Sequence, residues 1–158
     1  VDFSGEQPLP MGGIIKGALS GRMLKPMLNP NPDGIDKIKN LSVKLVKDMM
    51  SLKFLSYINK EGFPVLLPTM QAVMKDKGRL IIPLTAYGEE LEQIQKGQKC
   101  AMFVADLNLS SVLFQGEYQG IEKKGGMRFG IFDIEKVYNS MLPVVGYIYP
   151  EEEYKLIH

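Results

Sequence analysis

Cysteine, histidine and tryptophan are nearly missing from this 158-residue chain: one Cys, one His and no Trp. A single cysteine, Cys100, excludes an internal disulfide and any cysteine-cluster metal site, and its place in an apolar run predicts a packed, inert thiol. The lone histidine, His158, is the last residue, so neither a histidine-based triad nor a zinc site is expected. Charge of one sign is also lacking. Nineteen basic and eighteen acidic residues leave a net +1 with no long block of either, which leaves no electrostatic footprint for nucleic acid or an anionic membrane. No apolar run approaches the ~20 residues of a membrane helix. With no disulfide framework, a cytoplasmic setting is the expectation. The chain starts at Val1 without a methionine, as a fragment would.

What is present is β-prone sequence punctuated by turns. Residues 1–35 are broken by Pro8, Pro10, Pro26, Pro30 and Pro32 and loosened by many glycines, and read as an irregular N-terminal arm. Gly13, Gly17 and Gly21 fall four apart, which on a helix would give one face of small residues for close packing, though chance in a loop accounts for them better. No Gly-Lys-Ser/Thr and no G-x-G-x-x-G occurs, so a nucleotide-loop reading has no support.

Ile38, Leu41, Leu45, Met49 and Leu52 recur at helical spacing and predict an amphipathic helix over 36–51, with Met49 as core filler. Strands follow at 54–58, 65–74 and 80–85, joined by turns at Lys60-Glu61-Gly62 and Asp76-Lys77-Gly78. Pro68 and Pro83 cannot donate to a ladder, so each marks an edge, bulge or bend. A short helix over 88–96 is expected to bury Leu91 and Ile94 and to stop at Gly97. Strands at 99–105, from 112 and at 127–132 complete six. Asp133 then reads as the N-cap of a last helix carrying Ile134, Val137, Tyr138 and Met141. Residues 142–158 form an aromatic tail expected to pack on the domain or on a partner subunit.

Phe54-Leu55-Ser56-Tyr57, Gly62-Phe63-Pro64-Val65, Gly78-Arg79-Leu80-Ile81, Leu91-Glu92-Gln93-Ile94 and Val112 to Glu117, in this order, resemble the FMN-binding split barrel of the pyridoxamine 5'-phosphate oxidase-related family. The resemblance implies a mainly β domain over 36–141, a six-stranded antiparallel split β-barrel with flanking helices. It also implies a homodimer with FMN between subunits and a flavin-dependent oxidoreductase of unknown substrate and electron donor. Carried over by position, Pro68, Thr69, Met70, Gln71 and Ala72 would face the flavin ring and ribityl chain. Thr85, Ala86 and Tyr87 would face the phosphate, with Ser110 and Ser111 as additions.

The chemistry would belong to the cofactor. No catalytic residue is assigned, though Tyr87, Tyr118 and Arg128 are the side chains to test near a ring. Glu89 and Glu90 stand where many family members carry a lysine or arginine. The phosphate would then be held by Thr and backbone N–H groups at a helix N-terminus, or by Arg79, Lys99 or Arg128 arriving from elsewhere, the second subunit included. The other readings are a non-catalytic flavin, deazaflavin or haem binding protein, or a structural dimer module.

Overall fold

The computed structural model describes residues 11–24, 40–76, 78–108, 110–139 and 146–149. Helices α1 (Met11–Leu24) and α2 (Asn40–Lys47) precede strands β1 (Leu52–Ile58), β2 (Pro64–Pro68), β3 (Val73–Asp76) and β4 (Arg79–Pro83). Helix α3 (Gly88–Glu92) leads into β5 (Gln98–Ala105), β6 (Ser111–Lys124), β7 (Met127–Asn139) and β8 (Gly146–Tyr149). The strands form one antiparallel sheet in the order β2-β1-β5-β6-β7-β4-β3, and β8 pairs with β7. The architecture is mainly β, as expected, but with eight strands among the described residues in place of six.

Each additional strand has a local cause. The expected strand over 65–74 is divided: β2 pairs with β1 and β3 pairs with β4, at opposite ends of the strand order. Pro68 ends the first ladder, and Thr69 N–H turns to donate to Lys53 O at 2.7 Å while Ala72 N–H donates to Thr69 O at 2.8 Å. This turn is the corner at which the sheet curls back on itself, the bend that Pro68 foretold.

The helix expected from Asp133 is instead the second half of β7. In the β6–β7 pairing Gln115 faces Lys136 and Gly116 faces Ile134, so Glu135 is an extra residue in a bulge. The bulge puts buried Ile134 and Val137 three apart, a helical spacing produced by a strand. Gly116 is required there, because a Cβ would collide with the backbone carbonyl of Asp133. β8, in the expected tail, pairs along this second half of β7.

The main core lies inside the curl. Tyr118, Phe114, Phe132, Leu55, Leu80, Ile82, Met102 and Ile134 are almost wholly buried, and Leu91 of α3 closes one end. Tyr118 lies flat against Gly130, where any Cβ would overlap its ring. A second, smaller cluster of Val73, Ile81, Phe129 and Ile131 lies apart from this core.

α1 corrects the expectation of an irregular arm. It lies against β4 and β3, buries Ile14, and brings Gly13 so close to the Thr85 carbonyl that no Cβ would fit. The remainder of the expected arm, apart from α1, and residues 140–145 and 150–158 lie outside the described residues, Met141 of the expected last helix among them. α2 is shorter than the 36–51 expectation: it ends at Lys47, and Asp48 takes the Met50 N–H on its carboxylate at 2.9 Å to form a turn. Met49 is therefore not core filler. It is 47% exposed, beside Met50 at 71%.

Candidate ligand-binding site

The two segments singled out for a flavin meet at the corner. Gln71, fully buried in the Thr69–Ala72 turn, reaches across so that Nε2 donates to Pro83 O at 3.2 Å and Ala86 O at 3.1 Å. Its Oε1 is buried with no hydrogen-bond partner. Thr69 and Ala72 are also fully buried, Ala86 nearly so, and the Thr69 hydroxyl donates to Lys53 O at 3.4 Å. Three of the five ring-side candidates therefore build the corner, while Pro68 and Met70 are only half-buried. On the other side Thr85 is exposed, and Tyr87 takes a left-handed conformation with φ 55 ahead of α3. Ser110 and Ser111 lie at the β5–β6 turn, with β5 and β1 between them and β2 in the sheet order. Of the other ring candidates, Tyr118 is core, and burial drives its phenol pKa strongly upward.

The three cations that could meet a phosphate are each held by carboxylates. Arg79 Nε and Nη2 bond both oxygens of Asp133 at 2.5 and 3.0 Å. Burial opposes its charge, but the hydrogen bonds and charge of Asp133 outweigh that and raise its pKa. Lys99 Nζ lies 2.7 Å from Glu135 and 2.9 Å from Glu117, and these bonds raise its pKa while lowering that of Glu117. Arg128 pairs with Glu92 at 2.7 Å.

Two cavities flank the corner. One, of about 380 Å3, lies between α1, the end of α2, the start of β1 and the corner turn; Met70 and Ala72 line it. The other, a groove of about 280 Å3, is lined by Thr85, Arg128 and Glu92 among others. No described residue lines both. The ring side and the phosphate side thus open onto separate spaces, with Gly13 of α1 seated on Thr85. The corner suits an apolar group on its Met70–Ala72 side. Within one subunit the ring-side and phosphate-side candidates share no cavity.

A third hollow, of about 390 Å3, is lined by Lys99, Glu135, Gly116, Tyr57 and Cys100 among others. Burial pushes the Cys100 thiol up to about 12, so it is unreactive at neutral pH. The expectation of a packed thiol holds.

Sequence reasoning missed the α1 wall of the cavity beside Met70 and Ala72, formed by Met11, Ile14 and Ile15, and the turn methionines Met49 and Met50. A signal existed in Gly13, whose spacing allowed close helix packing.

No protein-family model and no curated protein matches the chain. Solved structures do. A crystal structure of HupZ from Group A Streptococcus matches with a TM-score of 0.53 and 18% identity, covering 66% of this chain and 96% of that one. A Lactobacillus delbrueckii protein described as a candidate pyridoxamine 5'-phosphate oxidase matches with a TM-score of 0.52 and 22% identity, covering 66% and 95%. At these identities the likeness concerns the fold. The chain has the split-barrel fold of pyridoxamine 5'-phosphate oxidase-like proteins, as the order of its strands and turns had suggested.

Proposed function

We propose that this chain is a homodimeric split-barrel binding protein without turnover that does not use FMN, a reading that departs from the flavin, deazaflavin or haem named for the non-catalytic alternative. The observation that carries this reading is the separation of the corner into two cavities that share no lining residue. A phosphate at Thr85 would also have to share Arg128 with Glu92, in the neighbourhood of Glu89 and Glu90 at the start of α3. A phosphate site gains its strength from charge-assisted donors, and here the nearest such donor is already engaged.

The test is a titration of the purified protein with FMN and with riboflavin, followed by flavin fluorescence. No saturable FMN quenching is expected well above micromolar concentrations. Micromolar FMN binding, with bleaching by a reduced nicotinamide, would restore the rival reading of a flavin-dependent oxidoreductase.

The homodimer rests on the outward face of the sheet. Pro68, Phe54, Phe103, Leu113 and Tyr138 are successive Cα partners across five strands. Beside this row Leu66 and Ile58 are 62% and 54% exposed. An apolar face of this kind is self-complementary about a two-fold axis, and a net charge of +1 sets no long-range repulsion between copies. Light scattering is expected to give a dimer for the native chain and a monomer for Phe103→Glu combined with Leu66→Glu. A native monomer would remove the dimer from the reading.

A further inference from the structure

A surface helix ordinarily turns its large apolar residues to the core and its polar ones to water. α1 does much of the reverse. A glycine faces inward, Gly13 on the Thr85 carbonyl, with Ile14 buried beside it. Met11, Ile15 and Leu19 are 56%, 47% and 53% exposed, and at a spacing of four they form one stripe along the helix.

A second element continues the stripe. Met49 and Met50, exposed in the turn between α2 and β1, border the same hollow as Met11 and Ile15. Of the eleven large hydrophobics exposed among the described residues, these five gather here, and none of them lies on the strands of the proposed dimer face. Apolar residues scattered singly over a surface are ordinary, whereas a cluster marks a place of contact.

Charge decides what makes that contact. α1 and α2 contain no acidic residue. Lys16, directly after Ile15, and Lys44 of α2 are exposed, and unlike Arg79, Lys99 and Arg128 neither pairs with a carboxylate among the described residues. The acid in the turn, Asp48, has one carboxylate oxygen on the Met50 N–H. A net charge of +1 had argued against an anionic membrane, but it averages over the whole surface, and these two lysines stand far apart in the chain.

A second copy on this patch would set basic helices against basic helices. Protein partners in general favour aromatic residues and disfavour lysine at their contacts, and the patch has flanking lysines and no aromatic residue. An anionic bilayer surface suits both features, taking apolar side chains into its headgroup boundary and attracting the lysines beside them. No helix among the described residues is long and apolar enough to cross a membrane, so the contact is with the surface.

We infer that α1 and the Met49–Met50 turn dock on a bilayer surface containing anionic lipid, the five apolar side chains dipping into it with Lys16 and Lys44 among its headgroups. This stands apart from the binding-protein reading, and neither outcome of the FMN titration bears on it.

The experiment is flotation of the full chain with vesicles of phosphatidylcholine alone and of phosphatidylcholine with one quarter phosphatidylglycerol. Binding to the anionic vesicles is expected, weakened by added salt, and to the neutral ones roughly tenfold less. Ile15→Gln combined with Met50→Gln alters exposed positions that the fold tolerates, and should weaken anionic binding by roughly tenfold. Lys16→Gln combined with Lys44→Gln should remove the preference for anionic vesicles. Leu107→Gln, exposed in the β5–β6 turn, should bind as the native chain does.

Absence of binding to either vesicle overturns the membrane, and equal binding to both overturns its anionic character. Native-like binding by the Ile15 and Met50 double variant overturns the patch. Conversion of a native dimer to a monomer by that same variant, seen by light scattering, would assign the patch to a second copy and overturn the proposal.

Discussion

The β5–β6–β7 half of the barrel and the corner under α1 are built on different principles. In the first, long strands pair along most of their length, and close fits at Gly116 and Gly130 leave no room for a methyl group. In the second, a short helix rests on a turn, methionines border open space, and Gln71 Oε1 and the Ser51 hydroxyl are buried without partners. The closed half sets the curvature of the sheet. Among the described residues the open half has two of the three buried side-chain polar atoms without partners, the third being the Tyr118 hydroxyl of the closed half. Its cavity also has a more apolar lining than the hollow beside Lys99.

The sharpest way to break this comparison is to add the same methyl group to each half. Gly116→Ala sets a Cβ against the Asp133 backbone within a paired ladder, where neither strand can withdraw, and is expected to cost about 3 kcal/mol. Gly13→Ala also meets a carbonyl, that of Thr85, less closely than at Gly116, and α1 can lift away. Its cost should stay within about 2 kcal/mol, the scale of exposing the buried Ile14 side chain. Urea unfolding of both variants checks the order. Equal losses would mean that α1 is as integral to the fold as β7.

The same contrast explains what could be read from the sequence. Turn residues and the run of β-prone segments were enough for the sheet, because hairpins are local and their turns are written at Gly62 and at Gly125-Gly126, all with positive φ. β7 was misread beyond Phe132 because a bulge imitates helical periodicity, and only the partner strand shows where the extra residue falls. The corner was legible in part. Pro68 signalled the bend, but nothing local says that Gln71 turns inward to hold Pro83 and Ala86. α1 escaped because its anchor is a glycine meeting a carbonyl some seventy residues away, a tertiary contact that composition reads as looseness.

A smaller effect is expected at the staple between the two segments of the corner. Gln71→Leu keeps the volume but leaves the Pro83 and Ala86 carbonyls without their donor, while it also removes an unpaired Oε1. The first change costs and the second relieves, so a net loss of about 1 kcal/mol is expected in urea unfolding. A loss of 3 kcal/mol or more would show that the corner is as tightly determined as the closed half.

Cys100 supplies the mildest test, because it reports on the closed half without changing it. Its folded pKa, raised by burial to about 12, lies above the ordinary thiol value of 9.0. Below pH 9 both folded and unfolded thiols are protonated and the group has no effect on stability's pH dependence. As pH rises from 9 toward 12 the unfolded chain ionises first, so folding loses stability, by a few kcal/mol at most. Cys100→Ser should flatten that alkaline slope. At pH 8 the native thiol is expected to resist iodoacetamide until the sheet opens, whereas a cysteine introduced by Ile15→Cys in the Cys100→Ser background, on the 47% exposed flank of α1, should react at once. Matching rates at the two positions would mean that the hollow beside Lys99 opens as readily as the cavity under α1, and the two halves would no longer differ in access.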